Sequence, residues 1–239
     1  MPSEHFVPFF DALDSALPRV TFVQIGANDG VWNDPIEPYL RGEKWRGVLV
    51  EPVPYVFARL KARYGSRQNF ILENCAIAES DGTRTFYSVR EWEGDEASHA
   101  SAIGSFSLVH VLKHAANVPD FTKRIQLTQV PCLTLRTLFA KHHITQLDAL
   151  VMDAEGYDGA IVQNIPFDIV RPAVIFFEHK HLDSATREQC RTLLAQHDYL
   201  LFERHSNTLA FLNQLRSQHV AFATAWENAQ SLNLGRMNT

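Results

Sequence analysis

Hydrophobic positions along the chain fall into two kinds of pattern. Residues 6–17 place phenylalanine and leucine at helical spacing, so they predict a short helix that ends near Pro18. The run 20–25 is β-branched and apolar, which is typical of a parallel strand buried on both faces. Comparable runs predict strands over 47–50, 70–72, 130–133, 147–152 and 173–177, and helical periodicity separates them over 53–64, 134–142, 158–164 and 184–197.

This alternation of strands and helices predicts an α/β fold, a mostly parallel Rossmann-like sheet with helices on both faces. A hairpin over 199–202 and 208–212 is expected to add antiparallel strands at one edge. No repeat, low-complexity tract or linker interrupts the pattern, so we expect a single domain over 1–239. Its N-terminal helix lies within 1–19, and a C-terminal helix and tail occupy 213–239.

One segment departs from this alternation. Asp81-Gly82 is a hairpin turn signal that leads into an alternating strand over 83–89. Residues 90–128 are then rich in Glu, Ser, Gly and His, with a helical stretch over 106–116. An insertion over one edge of a domain is the usual position of a substrate lid, so we interpret 90–128 as a lid-like insertion.

Two features of the insertion bear on chemistry. Ser105-Phe106-Ser107 either touches a ligand or caps a helix. His110 and His114 are four residues apart and share a helix face, a spacing that suits metal binding. Because the sequence identifies no third ligand for them, a lid surface is the favoured interpretation.

Composition narrows the function classes. The chain has 22 basic and 27 acidic residues, a net charge of −5, so it lacks the positive field that nucleic acid requires and we expect no nucleic-acid partner. Its 3 cysteines form no CxxC pair, which argues against disulfides and structural zinc and favours a reducing compartment. The first residues do not resemble a signal peptide, and no apolar run is long enough for a membrane span, so a cytoplasmic protein is expected.

The first predicted strand ends in a loop suited to a close ligand approach, Gln24-Ile25-Gly26-Ala27-Asn28-Asp29-Gly30. Three glycines spaced GxGxxG would suggest a dinucleotide pyrophosphate, but Asn28 occupies the place of the second glycine. Asp29 adds negative charge at the same place. The loop therefore suits a ligand with a cationic amino group better than one with phosphates, although a plain turn explains the loop equally well.

Two further strand ends carry carboxylates. Glu51 ends the next strand 21 residues beyond Gly30, and an acid at that separation typically accepts hydrogen bonds from ribose hydroxyls. Asp153 and Glu155 follow the strand over 147–152, where the alternative is an acidic helix start. Because open α/β sheets bind ligands at the carboxyl ends of their strands, these groups predict an adenosine-bearing ligand in one cleft.

A polar cluster, Glu178-His179-Lys180-His181, follows the strand over 173–177. Glu178, His179 and His181 join Asp153 as candidate general bases, because strand ends 153 and 178 are expected to be neighbours. The alternative is a solvated loop with incidental histidines. The same groups suit a divalent metal, but nothing in their spacing demands one, so metal dependence is not favoured.

At this point the motifs resemble a known family. QIGANDG, LVEP, ENCAIAESDGT, DALVMDAEGYD and FFEHKHL, in that order over about 20–212, are similar to the FkbM family of S-adenosylmethionine-dependent methyltransferases. The resemblance implies a class I methyltransferase fold and methylation of a hydroxyl on a sugar or other natural-product small molecule. The family often has a lysine or similar residue directly before Asp153, where this chain has Met152. The charge balance around Asp153 therefore stays open.

The resemblance also implies roles for individual residues. Asp29, Asn33 and Asp34 would approach the amino group of the cofactor, Glu51 with Pro52 would hold the ribose, and Asp153 with Glu155 would lie near the methylsulfonium. Asn74, Cys75 and Ala76 would border the adenine. Along the amino-acid part of the cofactor it implies Gln24, Gly26, Ala27, Asn28 and Gly30.

Two other functions stay open at the sequence level. One is an NAD(P)-dependent Rossmann oxidoreductase, against which the spacing from Gly26 to Gly30 argues; the other is a non-catalytic nucleoside-binding module. Beyond the small-molecule acceptor, the expected assembly is a monomer or a homodimer. The apolar positions of the terminal helices are expected to cover the sheet rather than form a dimer contact: Phe6, Phe9, Phe10, Val220, Phe222 and Trp226.

Overall fold

The structure is a computed structural model of the chain and describes residues 4–31, 34–91, 103–113, 115 and 120–234. Its strands are β1 (Val20–Ile25), β2 (Trp45–Val50), β3 (Phe70–Glu73), β4 (Ala76–Ile77), β5 (Gly82–Val89), β6 (Gly104–Ser105), β7 (Ile125–Leu133), β8 (Ala149–Met152), β9 (Val174–Glu178), β10 (Tyr199–Arg204) and β11 (Asn207–Leu212). Its helices are α1 (Val7–Ala16), α2 (Glu37–Leu40), α3 (Pro54–Tyr64), α4 (Leu108–Leu112), α5 (Phe121–Arg124), α6 (Leu135–Lys141), α7 (Asp158–Gln163), α8 (Ser184–Gln196), α9 (Asn213–Gln218) and α10 (Val220–Leu234).

The larger sheet has the order β3-β2-β1-β8-β9-β11-β10. Pairing is parallel from β3 to β9, and β11 runs antiparallel to both β9 and β10. This confirms a mostly parallel sheet with an antiparallel hairpin at one edge. Register places Ile25 beside Val50 on one side and Met152 on the other, so the residues after β1, β2 and β8 meet at one edge.

Apolar layers cover both faces of this sheet. On one face, Phe6, Phe9 and Phe10 of the N-terminal segment are fully buried, as is Phe222 of α10. A buried phenylalanine contributes about 1.5–3 kcal/mol, so the terminal helices are firmly held to the sheet. The expectation that their apolar residues cover the sheet is confirmed for these four, whereas Val220 is 84% exposed.

A second sheet, of order β4-β7-β5-β6, was not predicted. Asp81-Gly82 does not close a hairpin, because β4 and β5 both pair with β7 instead of with each other. Asp81 accepts hydrogen bonds from Thr134 N at 2.7 Å and from Thr137 Oγ1 at 2.6 Å, which joins the turn to the start of α6. The predicted insertion boundary at 128 is also wrong, since β7 begins at Ile125.

Two helices differ from their predicted bounds. The helix within the insertion is shorter than 106–116, because α4 covers only Leu108–Leu112 and begins at the capping side chain of Ser107. The predicted C-terminal helix divides at His219, whose backbone is extended, although no proline or glycine marks the break. None of the helices described here combines the length and apolarity needed to cross a bilayer.

Glu203 of β10 provides a test of fold stability. Its carboxylate accepts hydrogen bonds from Arg187 Nη2 at 2.8 Å and Arg191 Nε at 3.0 Å. Burial opposes ionisation, but the bonds from Arg191 and Arg187 outweigh it and lower the pKa of Glu203 to about 2. We expect Glu203→Gln to lower the free energy of unfolding by about 2–3 kcal/mol at pH 7.

The sign of this effect fixes its pH dependence. Because the pKa of Glu203 is lower in the folded than in the unfolded protein, its carboxylate stabilises the fold at pH values above the unfolded-state pKa. That stabilisation is lost as the pH falls through the folded-state pKa. The difference between wild type and Glu203→Gln should therefore shrink as the pH falls from about 4.5 towards about 2. Urea unfolding at pH 7 and at pH 3 measures it; an equal difference at both values would contradict the assignment.

Candidate active site

A cleft, called here the strand-end cleft, opens where β1, β2 and β8 end. It encloses about 1260 Å³ including its open mouth, and residues of the smaller sheet border its other side. In the described part of the chain it is lined by Gln24, Ile25, Gly26, Ala27, Asn28, Asp34, Pro35, Glu51, Pro52, Val53, Cys75, Ala76, Ile77, Phe86, Gly104, Phe106, Val151, Met152, Asp153, Ala154, Glu155, Tyr157, Phe176 and Asn207. The lining contains four carboxylates and no basic side chain among these residues.

The loop after β1 turns sharply against the end of β8. Gly26 has φ +74°, and a Cβ added there would lie 1.9 Å from the carbonyl oxygen of Asp153. The N–H groups of Gly26 and Ala27 both donate to Val50 O at 3.0 Å, which ties the loop to β2 as well. Only glycine fits this position, and its absence of a side chain lets three strand ends converge.

Glu51 is held rigidly at the end of β2. One carboxylate oxygen accepts the N–H of Asn28 at 3.0 Å, and the other accepts the N–H of Val53 at 2.8 Å. Burial raises the pKa of Glu51 to about 7 against these two hydrogen bonds. A carboxylate has about four acceptor positions, so two remain for hydroxyl donors in the cleft.

Two buried oxygens of the cleft accept no hydrogen bond from the residues that the structure describes. They are Gln24 Oε1 and Asp34 Oδ2. The other oxygen of Asp34 accepts the N–H of Ile36 at 2.9 Å, and burial raises the pKa of Asp34 to about 6. Buried acceptors without a donor are costly, so this corner of the cleft is suited to a ligand with several N–H or O–H donors.

The smaller sheet supplies apolar and aromatic surface. Phe86 and Phe106 line the cleft, and their rings pack edge to face with centroids 5.1 Å apart. The Arg84 guanidinium lies 4.3 Å from the Phe106 ring centroid and donates to Tyr157 Oη at 2.8 Å. Cys75 also lines the cleft, and the aromatic wall can hold a flat heterocycle.

Acidic groups crowd the end of β8. Asp153 is open to the cleft but otherwise surrounded by protein, and this desolvation raises its pKa. Burial and then the nearby Asp153 carboxylate raise the pKa of Glu155 to about 8. Burial, Asp153 and Glu155 together raise the pKa of Glu178 to about 8. Lys180 offsets part of this charge.

Histidines adjoin these carboxylates. His110 Nε2 lies 2.9 Å from Glu155 Oε2, and His181 Nε2 lies 3.2 Å from Glu178 Oε2. The two imidazole rings meet edge to face with centroids 4.3 Å apart. His110 is only 5% exposed, so its interpretation as part of a lid surface is wrong. Burial lowers the pKa of His110.

Most residues predicted for the site line the cleft: Gln24, Gly26, Ala27, Asn28, Asp34, Glu51, Pro52, Cys75, Ala76, Asp153 and Glu155. Three others do not line the cleft and make contacts beside it. Asp29 Oδ1 accepts the N–H of Val31 at 3.0 Å, Gly30 packs against Tyr64, and Asn74 Nδ2 donates to Glu51 O at 2.8 Å.

The predicted cluster after β9 divides in the structure. Glu178 and His181 lie beside the acidic end of β8, next to the lining rather than in it. His179 is instead directed to Thr208 Oγ1, 2.7 Å from its Nδ1, and the structure does not bring it to the cleft. Asn33 and His114 lie outside the described residues.

Sequence reasoning missed several lining residues. Phe86, Val53 and Asn207 carry no motif that points to a ligand. Tyr157 also lines the cleft. Its position four residues after Asp153 is the sequence feature that could have identified it as a site residue. For Ser105-Phe106-Ser107 the helix cap is confirmed, since Ser107 caps α4. Contact with a ligand stays a prediction for this segment, of which Phe106 lines the cleft.

The family model of the methyltransferase FkbM domain matches residues 24–215. No curated protein matches the chain.

Solved structures similar to this chain include three methyltransferases. One is the methyltransferase FkbM from Methylobacillus flagellatus KT, with 16% identity, a TM-score of 0.49, and coverage of 82% of this chain and 45% of that chain. Another is human methyltransferase-like protein 13 in complex with SAH, with 13% identity, a TM-score of 0.44, and coverage of 96% and 88%. A third is precorrin-6y C5,15-methyltransferase from Geobacter metallireducens GS-15, with 11% identity, a TM-score of 0.41, and coverage of 86% and 87%. The chain thus spans less than half the length of the first of these proteins.

Proposed function

The chain belongs to the FkbM methyltransferase family, and from this premise we propose that it transfers the methyl group of S-adenosylmethionine to a hydroxyl of a sugar or natural-product small molecule. The observation that carries the proposal is the charge of the strand-end cleft. Its described lining presents the carboxylates of Asp34, Glu51, Asp153 and Glu155 and no basic side chain. A sulfonium cofactor with a free amino group is stabilised by such a lining.

The amino-acid part of the cofactor fits the loop after β1. Its ammonium group offers three N–H donors, and Gln24 Oε1 and Asp34 Oδ2 are the buried acceptors that need donors. Gly26 leaves room for the backbone of the cofactor to approach. We assign these three residues to the amino-acid end of S-adenosylmethionine.

The nucleoside fits the next strand ends. Glu51 has one acceptor position left on each oxygen, which matches the two hydroxyls of a ribose. Cys75, Ala76 and the aromatic wall at Phe106 are suited to the adenine ring. Asn74 acts indirectly, since its amide holds the backbone carbonyls of Glu51 and Pro52.

Methyl transfer then needs alignment and a base. The sulfonium supplies an activated methyl group, so the protein has mainly to hold the acceptor oxygen in line with it. An alcohol must also lose its proton. Asp153 is the candidate base, because it directly follows β8, which pairs with β1 in the middle of the sheet, and it opens to the cleft. Glu178 and His181 stand next to it as alternative proton acceptors.

The two other functions are less consistent with the cleft. A pyrophosphate of NAD(P) would face the four carboxylates without a basic partner among the described lining residues. A titration in which NAD(P)H binds and S-adenosylmethionine does not would replace our proposal with the oxidoreductase. A binding module would retain the cofactor but transfer nothing, so a methyl-transfer screen over sugars, polyketides and lipids separates it from an enzyme.

Glu51→Gln tests the cofactor part of the proposal. Glutamine keeps one acceptor oxygen but turns an NH₂ group towards one of the two backbone N–H donors that Glu51 now accepts. We expect the affinity for S-adenosylmethionine to fall about 10- to 100-fold, corresponding to about 1–3 kcal/mol. Isothermal titration calorimetry measures this directly.

Glu203→Gln is the matched control for this experiment. It replaces another partly buried glutamate and lowers stability, but Glu203 bonds to Arg187 and Arg191 and does not line the cleft. We expect it to bind S-adenosylmethionine as the wild type does at a temperature where both are folded. Unchanged affinity in Glu51→Gln would remove Glu51 from the cofactor site.

A further inference from the structure

Three side chains from distant parts of the chain meet beside the strand-end cleft. His110 comes from α4, Glu155 follows β8, and His181 follows β9. One possible ligand atom of each lies within 4.8 Å of those of the other two. All three are largely shielded from solvent, with side-chain exposures of 6%, 17% and 12%.

Local backbone features hold His110 and Glu155 in place. The Ser107 hydroxyl accepts the N–H of His110 and starts the short helix that carries it. Glu155 has φ +46°, a left-handed conformation that few non-glycine residues adopt, and Gly156 follows with φ +89°. A Cβ at Gly156 would lie 2.9 Å from His110 Nδ1, so a glycine is needed for the imidazole to approach.

From this arrangement we propose that His110, Glu155 and His181 form a binding site for a divalent transition-metal ion, with Zn²⁺ the ion it fits best. Two imidazoles and one carboxylate are a donor set typical of catalytic zinc sites, which keep a further position open. Imidazole nitrogen disfavours Mg²⁺ and Ca²⁺, which prefer all-oxygen surroundings. The cofactor arrangement proposed above makes no use of the two histidines of this set.

The spacing is close to what one ion requires. Ligands about 2.0–2.1 Å from an ion lie about 3–4 Å from one another. His110 Nε2 and Glu155 Oε2, at 2.9 Å, are just short of this separation, and atoms within 4.8 Å of one another reach it with a shift of about 1 Å.

Charges around the three ligands also favour a cation. Asp153 and Glu178 add further carboxylate charge around them, while the ammonium groups of Lys113 and Lys180 act on this group in the opposite direction. With Nδ1 of His181 as the ligand atom, Glu178 Oε2, which lies 3.2 Å from Nε2, would supply the carboxylate that commonly orients a ligating histidine. Because Glu155 lines the cleft, an ion held there would lie at its edge, within reach of an oxygen ligand.

The test is direct metal binding by the untagged full-length chain. After chelator treatment, the protein is titrated with Co²⁺, whose visible absorption reports nitrogen and oxygen ligation, and then with Zn²⁺ in competition. We expect one ion per chain, displacement of Co²⁺ by Zn²⁺, and no displacement by Mg²⁺ at equal concentration. Affinity for Co²⁺ should fall by about 100-fold or more in His181→Ala and in His110→Ala, because loss of an outer-shell partner alone typically costs about 10- to 100-fold.

His142→Ala is the matched control. His142 Nε2 lies 2.6 Å from Glu73 Oε1, so this residue also forms a shielded histidine–glutamate pair, but outside the three-ligand cluster. It should bind Co²⁺ as the wild type does. If His110→Ala fails to fold, His110→Gln, which keeps a hydrogen-bond donor near Glu155, replaces it and should show the same loss.

Two results would overturn the metal site: no saturable Co²⁺ binding, or equal Co²⁺ affinity in wild type, His181→Ala and His110→Gln. Displacement of Co²⁺ by Mg²⁺ as readily as by Zn²⁺ would also overturn it. The site does not depend on methyl transfer. Titration of metal-free protein with S-adenosylmethionine tests the cofactor proposal separately, so either proposal can fail while the other stands.

Discussion

Replacing Asp153 by asparagine is expected to lower the rate of methyl transfer at saturating cofactor by about 10²- to 10⁴-fold. Asparagine would keep the shape of the side chain at the end of β8, but an amide cannot accept the proton of the acceptor hydroxyl. Affinity for S-adenosylmethionine should change far less, since our proposal assigns most of the cofactor contacts to the loop after β1 and to Glu51. The measurement is the turnover number, with the acceptor found in the screen and S-adenosylmethionine at saturation.

Asp148→Asn provides the control at the opposite end of the same strand. Asp148 precedes β8, and its carboxylate accepts the N–H of Thr21 at 2.6 Å, away from the cleft. Its variant should turn over at the wild-type rate. A full rate in Asp153→Asn would show that Asp153 is not the base, and the corresponding variants of Glu178 and His181 would then be compared.

The parallel sheet and its strand ends could be predicted from sequence for a physical reason. Buried parallel strands are apolar along their whole length, so their ends are marked by the first polar residue or glycine. Gly26, Glu51 and Asp153 stand at such ends, and neighbouring parallel strands bring their ends to one edge. The position of the cleft followed from this rule without knowledge of side-chain packing.

The rest of the site depends on pairing that no local pattern specifies. β5 pairs with β7 across the insertion, and this pairing creates the smaller sheet and brings Phe86 to the cleft. The first half of β7 contains polar residues such as Gln126 and Thr128, so it lacks the continuous apolar run from which the other strands were predicted. Burial of His110 likewise depends on the missing side chain of Gly156, a contact made only once the chain is folded.

Gly26→Ala is expected to remove measurable S-adenosylmethionine binding, a loss of more than about 100-fold, and to lower the free energy of unfolding by about 2–4 kcal/mol. The new Cβ would lie 1.9 Å from Asp153 O, and this neighbour is backbone rather than a flexible side chain. Asp153 N also donates to Ile25 O at 3.0 Å, so the ends of β1 and β8 must separate to relieve the clash. That movement displaces the loop and Asp153 together.

Substitutions at two other glycines separate the effect of backbone strain from the effect of the steric clash. Gly82→Ala introduces a side chain at φ +143° with nothing within 4 Å of its Cβ, so it measures backbone strain without a clash. Gly42→Ala meets open space and no unusual φ, so it should be neutral in both unfolding and calorimetry. If Gly26→Ala bound S-adenosylmethionine as tightly as Gly82→Ala does, contact between the ends of β1 and β8 would not shape the cofactor site. If only Gly26→Ala loses affinity for S-adenosylmethionine, the loss is due to that contact, because both variants carry backbone strain but only Gly26→Ala adds the clash.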